Sequence, residues 1–89
     1  MEIRRTRKFI KSYAKLSESY RSKVKATLKS FFINPSNRIL NNHSLKWKFS
    51  WLRSINVTGD IRIIFRDIWN SSYEIVELID IWTHSQLYW

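Results

Sequence analysis

This 89-residue sequence predicts an α+β fold, with a helical hairpin first and a mostly antiparallel sheet after it. Two apolar stripes at helical spacing precede Pro35. Alternating apolar and polar residues follow Leu52, and the two regimes do not interleave. Helices gathered at one end of a chain and strands at the other give a helix layer on a sheet. The length suits one domain, residues 1–89, with a single modest core.

The predicted order is β-α-α-β-β-β-β. Ile3 to Arg5 is short and extended, a first strand. Thr6 suits the start of a helix because its hydroxyl accepts from a free backbone N–H. Phe9, Ile10, Tyr13 and Leu16 then share a helical face. Ser17 is a second cap, followed by the stripe Tyr20, Val24, Leu28, Phe31 and Phe32. Pro35 ends that helix at Asn34, since proline disfavours the helical conformation of the residue before it. Helices joined by so short a corner form an antiparallel hairpin.

Asn37 to Asn42 is a polar loop anchored by Ile39 and Leu40. Leu45 to Phe49 and Leu52 to Val57 are the next strands. Thr58-Gly59 is a two-residue hairpin turn in which glycine supplies positive φ. In the following strand Ile61, Ile63 and Phe65 point one way, and Asp60, Arg62, Ile64 and Arg66 the other. Trp69 to Ser72 is a turn, and Tyr73 to Ile81 reads as a central strand, being almost continuously apolar.

Composition narrows the function. A 44% hydrophobic fraction excludes a disordered chain. The net charge of +9 and pI of about 10.3 call for a polyanionic partner such as nucleic acid or an acidic protein. Without cysteine there is no disulfide framework and no thiolate metal site, and two histidines make a poor zinc site. Neither metal nor cofactor is expected. Met1-Glu-Ile-Arg-Arg5 carries no apolar signal core, and no apolar run reaches membrane-spanning length, so a cytoplasmic protein is expected.

Cleaving RNA without metal needs a base for the ribose 2′-OH, a cation for the phosphorane-like transition state, and an acid for the leaving 5′-oxygen. Histidine suits both proton-transfer roles, and the planar fork of arginine suits the phosphate. His43, Asp60, Arg62, His84 and Tyr88 supply such groups. Each also has a plain structural role open to it: His43 at a loop–strand boundary, Asp60 in a turn, Arg62 on a solvated sheet face, His84 as a cap, Tyr88 in packing. Arg4, Arg5, Arg7, Lys8, Lys11 and Lys15 crowd the N-terminal quarter, where they can track phosphates.

Four segments carry a resemblance: Ile3-Arg-Arg-Thr-Arg-Lys-Phe9 with the helical hairpin, His43-Ser-Leu-Lys46, Arg53-Ser-Ile-Asn-Val-Thr-Gly-Asp-Ile-Arg-Ile-Ile-Phe65, and Thr83-His-Ser-Gln-Leu-Tyr88. Over almost its whole length the chain resembles the RelE/ParE superfamily of bacterial toxins, nearest to its YafQ-like and RelE-like mRNA endonucleases. The resemblance implies a type II toxin that cuts mRNA in the ribosomal A site and is held by a cognate, acidic antitoxin in a hetero-oligomer, with no membrane involved. It implies proton transfer by His84 and Asp60, help from His43, Arg62 on the scissile phosphate, and Tyr88 in the place of the aromatic residue that follows the catalytic histidine. Arg4, Arg5, Lys8, Lys46, Lys48, Arg53 and Asn56 are the candidate substrate contacts. Asn56 stands where some YafQ-like members have a further histidine, and it cannot act as an acid or base near neutral pH. The ParE branch implies an alternative: inhibition of DNA gyrase by binding, without chemistry.

One anomaly remains. The chain holds one glycine and five tryptophans, where roughly six glycines are usual for this length. Trp47, Trp51, Trp69, Trp82 and Trp89 fall largely where related sequences prefer glycine. Lys46-Trp47-Lys48 resembles part of Leu-Lys-Gly-Lys, and Ile81-Trp82-Thr83-His84 resembles Ile-Gly-Thr-His. Two readings are open: codons read as glycine in the source and rendered as tryptophan, or real tryptophans that stack on bases or fill the sheet–helix interface.

Overall fold

The computed structural model describes residues 1–69 and 72–83. Strand β1 (Glu2–Arg5) leads into helices α1 (Arg7–Lys15) and α2 (Glu18–Ile33), followed by strands β2 (His43–Ser44), β3 (Arg53–Asn56), β4 (Ile61–Asp67) and β5 (Ile75–Thr83). The sheet order is β1-β5-β4-β3-β2, with β1 parallel to β5 and every other pair antiparallel. The predicted α+β class and element order hold. No helix among the described residues is long and apolar enough to cross a membrane.

Both helix starts are capped as the sequence predicts. Thr6 accepts from the Phe9 N–H at 3.1 Å and Ser17 from the Tyr20 N–H at 3.2 Å, each satisfying one of the free donors at a helix start. The Thr6 hydroxyl also lies 2.8 and 3.0 Å from the carbonyls of Leu78 and Ile79, which ties the start of α1 to β5. At the corner between the helices, the Leu16 carbonyl accepts from the Arg21 guanidinium at 2.5 Å.

The core fills the space between the helices and one face of the sheet. Phe9, Val24 and Phe31 meet Ile55, Ile61, Ile63, Phe65, Val76, Leu78 and Ile81, all buried. Phe31 packs on Phe65 and on the edge of Tyr73, with ring centroids 4.9 and 5.8 Å away. Ile10, Tyr20 and Phe32, expected on the apolar helix faces, are exposed.

Three local expectations are corrected. Leu45 to Phe49 is not a strand. The ladder of β2 ends after the Leu45 N–H bonds to the Leu52 carbonyl, and Trp47–Phe49 then forms a single 3-10 turn. Trp47 has a φ of 61°, which no extended strand accommodates. Gly59 does not supply positive φ. The β3–β4 turn is organised instead by the Thr58 hydroxyl, which accepts from the N–H groups of Asp60 and Ile61, both at 3.1 Å. The turn also spans more than two residues, since Asn56 pairs with Arg62. In the loop after α2 only Leu40 is an anchor; Ile39 is 83% exposed.

Candidate active site

Antiparallel register partners project from the same side of a sheet, and alternate residues of a strand share a face. Ile61, Ile63 and Phe65 of β4 point to the helices, so Arg62, Ile64 and Arg66 occupy the opposite face. Two cross-strand rows define that face. One is Asn56–Arg62–Trp82, across β3, β4 and β5. The other is His43–Ser54–Ile64–Asp80, across β2 to β5. An irregularity in the β4–β5 register between Ile64 and Phe65 lets Asp80 and Trp82 join this face while Leu78 and Ile81 stay in the core.

Arg62 is 9% exposed and donates from Nη1 to the Thr58 carbonyl at 3.2 Å. That bond bends its guanidinium toward the turn that carries Asp60, an exposed residue. Asn56 lies directly across from Arg62, and its side-chain oxygen is buried without a hydrogen-bond partner. Asn56, Thr58 and Arg62 also form part of the wall of a shallow cleft completed by Thr27 and Ser30 of α2. His43 is exposed, with Nδ1 2.7 Å from the Asn41 carbonyl. A carbonyl only accepts, so Nδ1 donates, and in the neutral ring Nε2 keeps its lone pair for a proton.

The other expected residues divide by face. Lys8 of α1 reaches Asp80 at 3.7 Å, at the rim of the Arg62 face. The Asp80 carboxylate is otherwise held by Ser12 Oγ at 2.5 Å, the Ile81 N–H at 2.8 Å and Trp82 Nε1 at 2.9 Å. Lys46 and Lys48 lie in the exposed segment whose Phe49 packs edge-on against Trp82, 5.3 Å between centroids. Arg4 shares the site face through its register partner Glu77, and it pairs with Glu2 at 2.5 Å. Arg5 falls on the other side of β1, in register with Leu78. Arg53 also faces away from Arg62. It shares the side of Ile55 and Phe65, and its Nε donates to Asn42 Oδ1 at 2.8 Å. His84 and Tyr88 lie outside the described residues.

Arg66 was not among the expected contacts, yet the structure sets it on the same face as Arg62, about 13 Å further along β4. It pairs with Glu77 at 3.8 Å and sits over the Trp51 ring at 5.9 Å. The even spacing from Arg62 to Arg66 was the signal in the sequence: residues two and four apart on a strand share a side.

No protein-family model and no curated protein sequence matches this chain. Solved structures do. A YoeB/ParE toxin from Agrobacterium tumefaciens superposes with a TM-score of 0.74 at 17% identity, over 94% of this chain and 99% of that one. YafQ from E. coli strain BL21(DE3) superposes with a TM-score of 0.71 at 20% identity, over 99% and 98%. The toxin–antitoxin complex RelBE2 from Mycobacterium tuberculosis gives a TM-score of 0.61 at 15% identity, over 92% and 95%. The two helices on an open five-stranded sheet are thus the fold that this chain shares with these solved toxins.

Proposed function

We propose that this chain is the toxin of a type II toxin–antitoxin system and cleaves mRNA on the ribosome by metal-independent acid–base chemistry. The observation that carries this reading is the Asn56–Arg62 pair on the sheet face turned away from the helical core, with Asp60 in the turn between them and His43 on the same side. Arg62 is the group for the scissile phosphate, where a planar cation offers paired donors to non-bridging oxygens. A base removes the proton from the 2′-OH, the 2′-oxygen attacks phosphorus, and the P–O5′ bond breaks as an acid protonates the leaving oxygen. Asp60 and His84 share the two proton transfers, assisted by His43, and the resemblance adds Tyr88 to the same set.

Several findings support this reading. The charge of +9 suits an RNA and ribosome partner. Similar folds occur in complexes with antitoxins, among them DinJ–YafQ from E. coli, at a TM-score of 0.68 and 18% identity. An antitoxin segment rich in acidic and apolar residues would cover the basic face of this chain. Such a protein works where ribosomes are, in the cytoplasm.

The test is a reconstituted translation reaction with the parent protein, His84→Ala and Asp60→Asn. Codon-phased mRNA cuts are expected from the parent and from neither variant. Intact mRNA with the parent, together with inhibition of gyrase supercoiling, would replace this reading with gyrase inhibition by binding.

A further inference from the structure

Three of the tryptophans among the described residues sit largely in solvent. Trp47 is 90% exposed, Trp51 56% and Trp69 59%. Tryptophan is ordinarily well buried, because its large apolar surface is what it contributes to a fold. Trp47 is also in the left-handed region, at a φ of 61°. A Cβ in that conformation crowds the backbone, and glycine, which has none, adopts it freely.

Two other non-glycine residues have positive φ, Asn41 at 47° and Tyr73 at 54°. Both have a reason. Asparagine tolerates this region. Tyr73 is locked: its hydroxyl accepts from Asn42 Nδ2 at 2.9 Å, its N–H donates to Asp67 Oδ2 at 3.1 Å, and its ring meets Phe31 and Phe65. The side chain of Trp47 has no such packing to offset the strain. Its backbone is nonetheless required there, because the Trp47 carbonyl accepts the Ser50 N–H at 3.0 Å and closes the 3-10 turn.

Trp82 differs in having contacts, to Asp80 and to Phe49. Asp80 does not depend on it, since Ser12, the Ile81 N–H and Lys8 also reach that carboxylate. Trp82 stands in register with Arg62, and Trp51 stacks against Arg66. The indoles therefore crowd the cations of the site face.

We propose that residues 47, 51, 69 and 82 are glycine in the protein its own cell makes. Their codon is one that this cell assigns to glycine and other translation systems read as tryptophan. The sheet face bearing Arg62 and Arg66 is then open in the native protein. Residue 89, outside the described residues, belongs to the same set by the count of five tryptophans to one glycine. Only the use of that open face for RNA rests on the proposed function; the residue assignment does not.

The deciding experiment is peptide sequencing by tandem mass spectrometry of the protein isolated from its source cells. Glycine is expected at 47, 51, 69 and 82, and tryptophan at any of them overturns the assignment. A second measurement uses recombinant protein that carries all five tryptophans. Trp47→Gly is expected to raise the folding equilibrium constant about five- to thirtyfold in urea titration, by relief of left-handed strain. Trp47→Ala keeps a Cβ and is expected to show no such gain. Equal midpoints for the glycine and alanine variants would remove the conformational argument and overturn the proposal at residue 47. Neither readout involves mRNA cleavage, so a failure of the nuclease reading and a failure of this one are separately visible.

Discussion

Asn56 and Arg62 face each other across the β3–β4 ladder, yet the buried Asn56 side-chain oxygen has no partner and Arg62 donates to the Thr58 carbonyl instead. An unmet buried acceptor costs about 1–3 kcal/mol. Sites that hold such groups in readiness commonly sacrifice stability for function. Asn56→Val is therefore expected to stabilise the fold by about 1 kcal/mol, since it removes the unmet acceptor and favours the strand. It should also weaken mRNA cleavage. Paired urea titrations and cleavage assays check both; a variant that gained stability with full activity would remove Asn56 from the site.

Arg62 donates to the Thr58 carbonyl, in the turn that carries Asp60. Arg62→Ala is expected to lower the cleavage rate about 10²–10³-fold, the usual cost of deleting a donor to a developing charge. Arg62→Lys should recover only part of that loss, because an ammonium lacks the paired fork. Single-turnover rates on ribosome-bound mRNA measure it, and full activity of the lysine variant would argue against paired donation.

Arg66 shares the face of Arg62, and the proposed function predicts that it meets a second phosphate there. For single-stranded RNA, each neutralised phosphate contributes about 0.7 to the slope of log K against log salt. Arg66→Ala is expected to shallow that slope by about 0.7. Filter binding from low to moderate salt reads it directly, and an unchanged slope would place Arg66 outside the RNA footprint.

The β3–β4 turn separates two adjacent residues by role. Thr58→Val deletes a hydroxyl that accepts two backbone N–H groups and should cost about 1–2 kcal/mol. Gly59→Ala should be neutral or stabilising by about 0.4–1 kcal/mol, because Gly59 has no positive φ and a Cβ there meets nothing within 4 Å. Thermal unfolding of the two variants tests the contrast, and a destabilised Gly59→Ala would contradict the observed turn.

Phe31 is fully buried between Phe65 and Tyr73. Phe31→Ala is expected to cost about 3–5 kcal/mol through lost burial and the cavity left behind. Urea titration at fixed temperature measures it. A loss well under about 2 kcal/mol would mean that α2 settles onto the sheet to close the gap.

Much of this fold was legible because local chemistry and the global pattern agree. Thr6 and Ser17 cap where a hydroxyl precedes a helical stripe, and the alternation Ile61, Ile63, Phe65 sets one face of β4 against the core. What sequence alone did not show depended on distant partners or on unusual backbone. The parallel pairing of β1 with β5 joins residues more than seventy positions apart and leaves no local trace. The 3-10 turn at Trp47 hides behind a residue that gives no hint of positive φ. For the site, alternation placed Arg62 and Arg66 on one side. That Arg53 faces the other way follows from the β3–β4 register, and its bond to Asn42 could not be read from the sequence.

β5, the last strand among the described residues, lies between the first strand and β4. Chains emerge from the ribosome in order, at roughly 5–20 residues per second. Until residues 75–78 are out, β1 has no strand to lie against, and until Trp82 is out, Arg62 lacks one of its two flanking neighbours. Assembly of the sheet therefore waits for the strand furthest along the chain among those described.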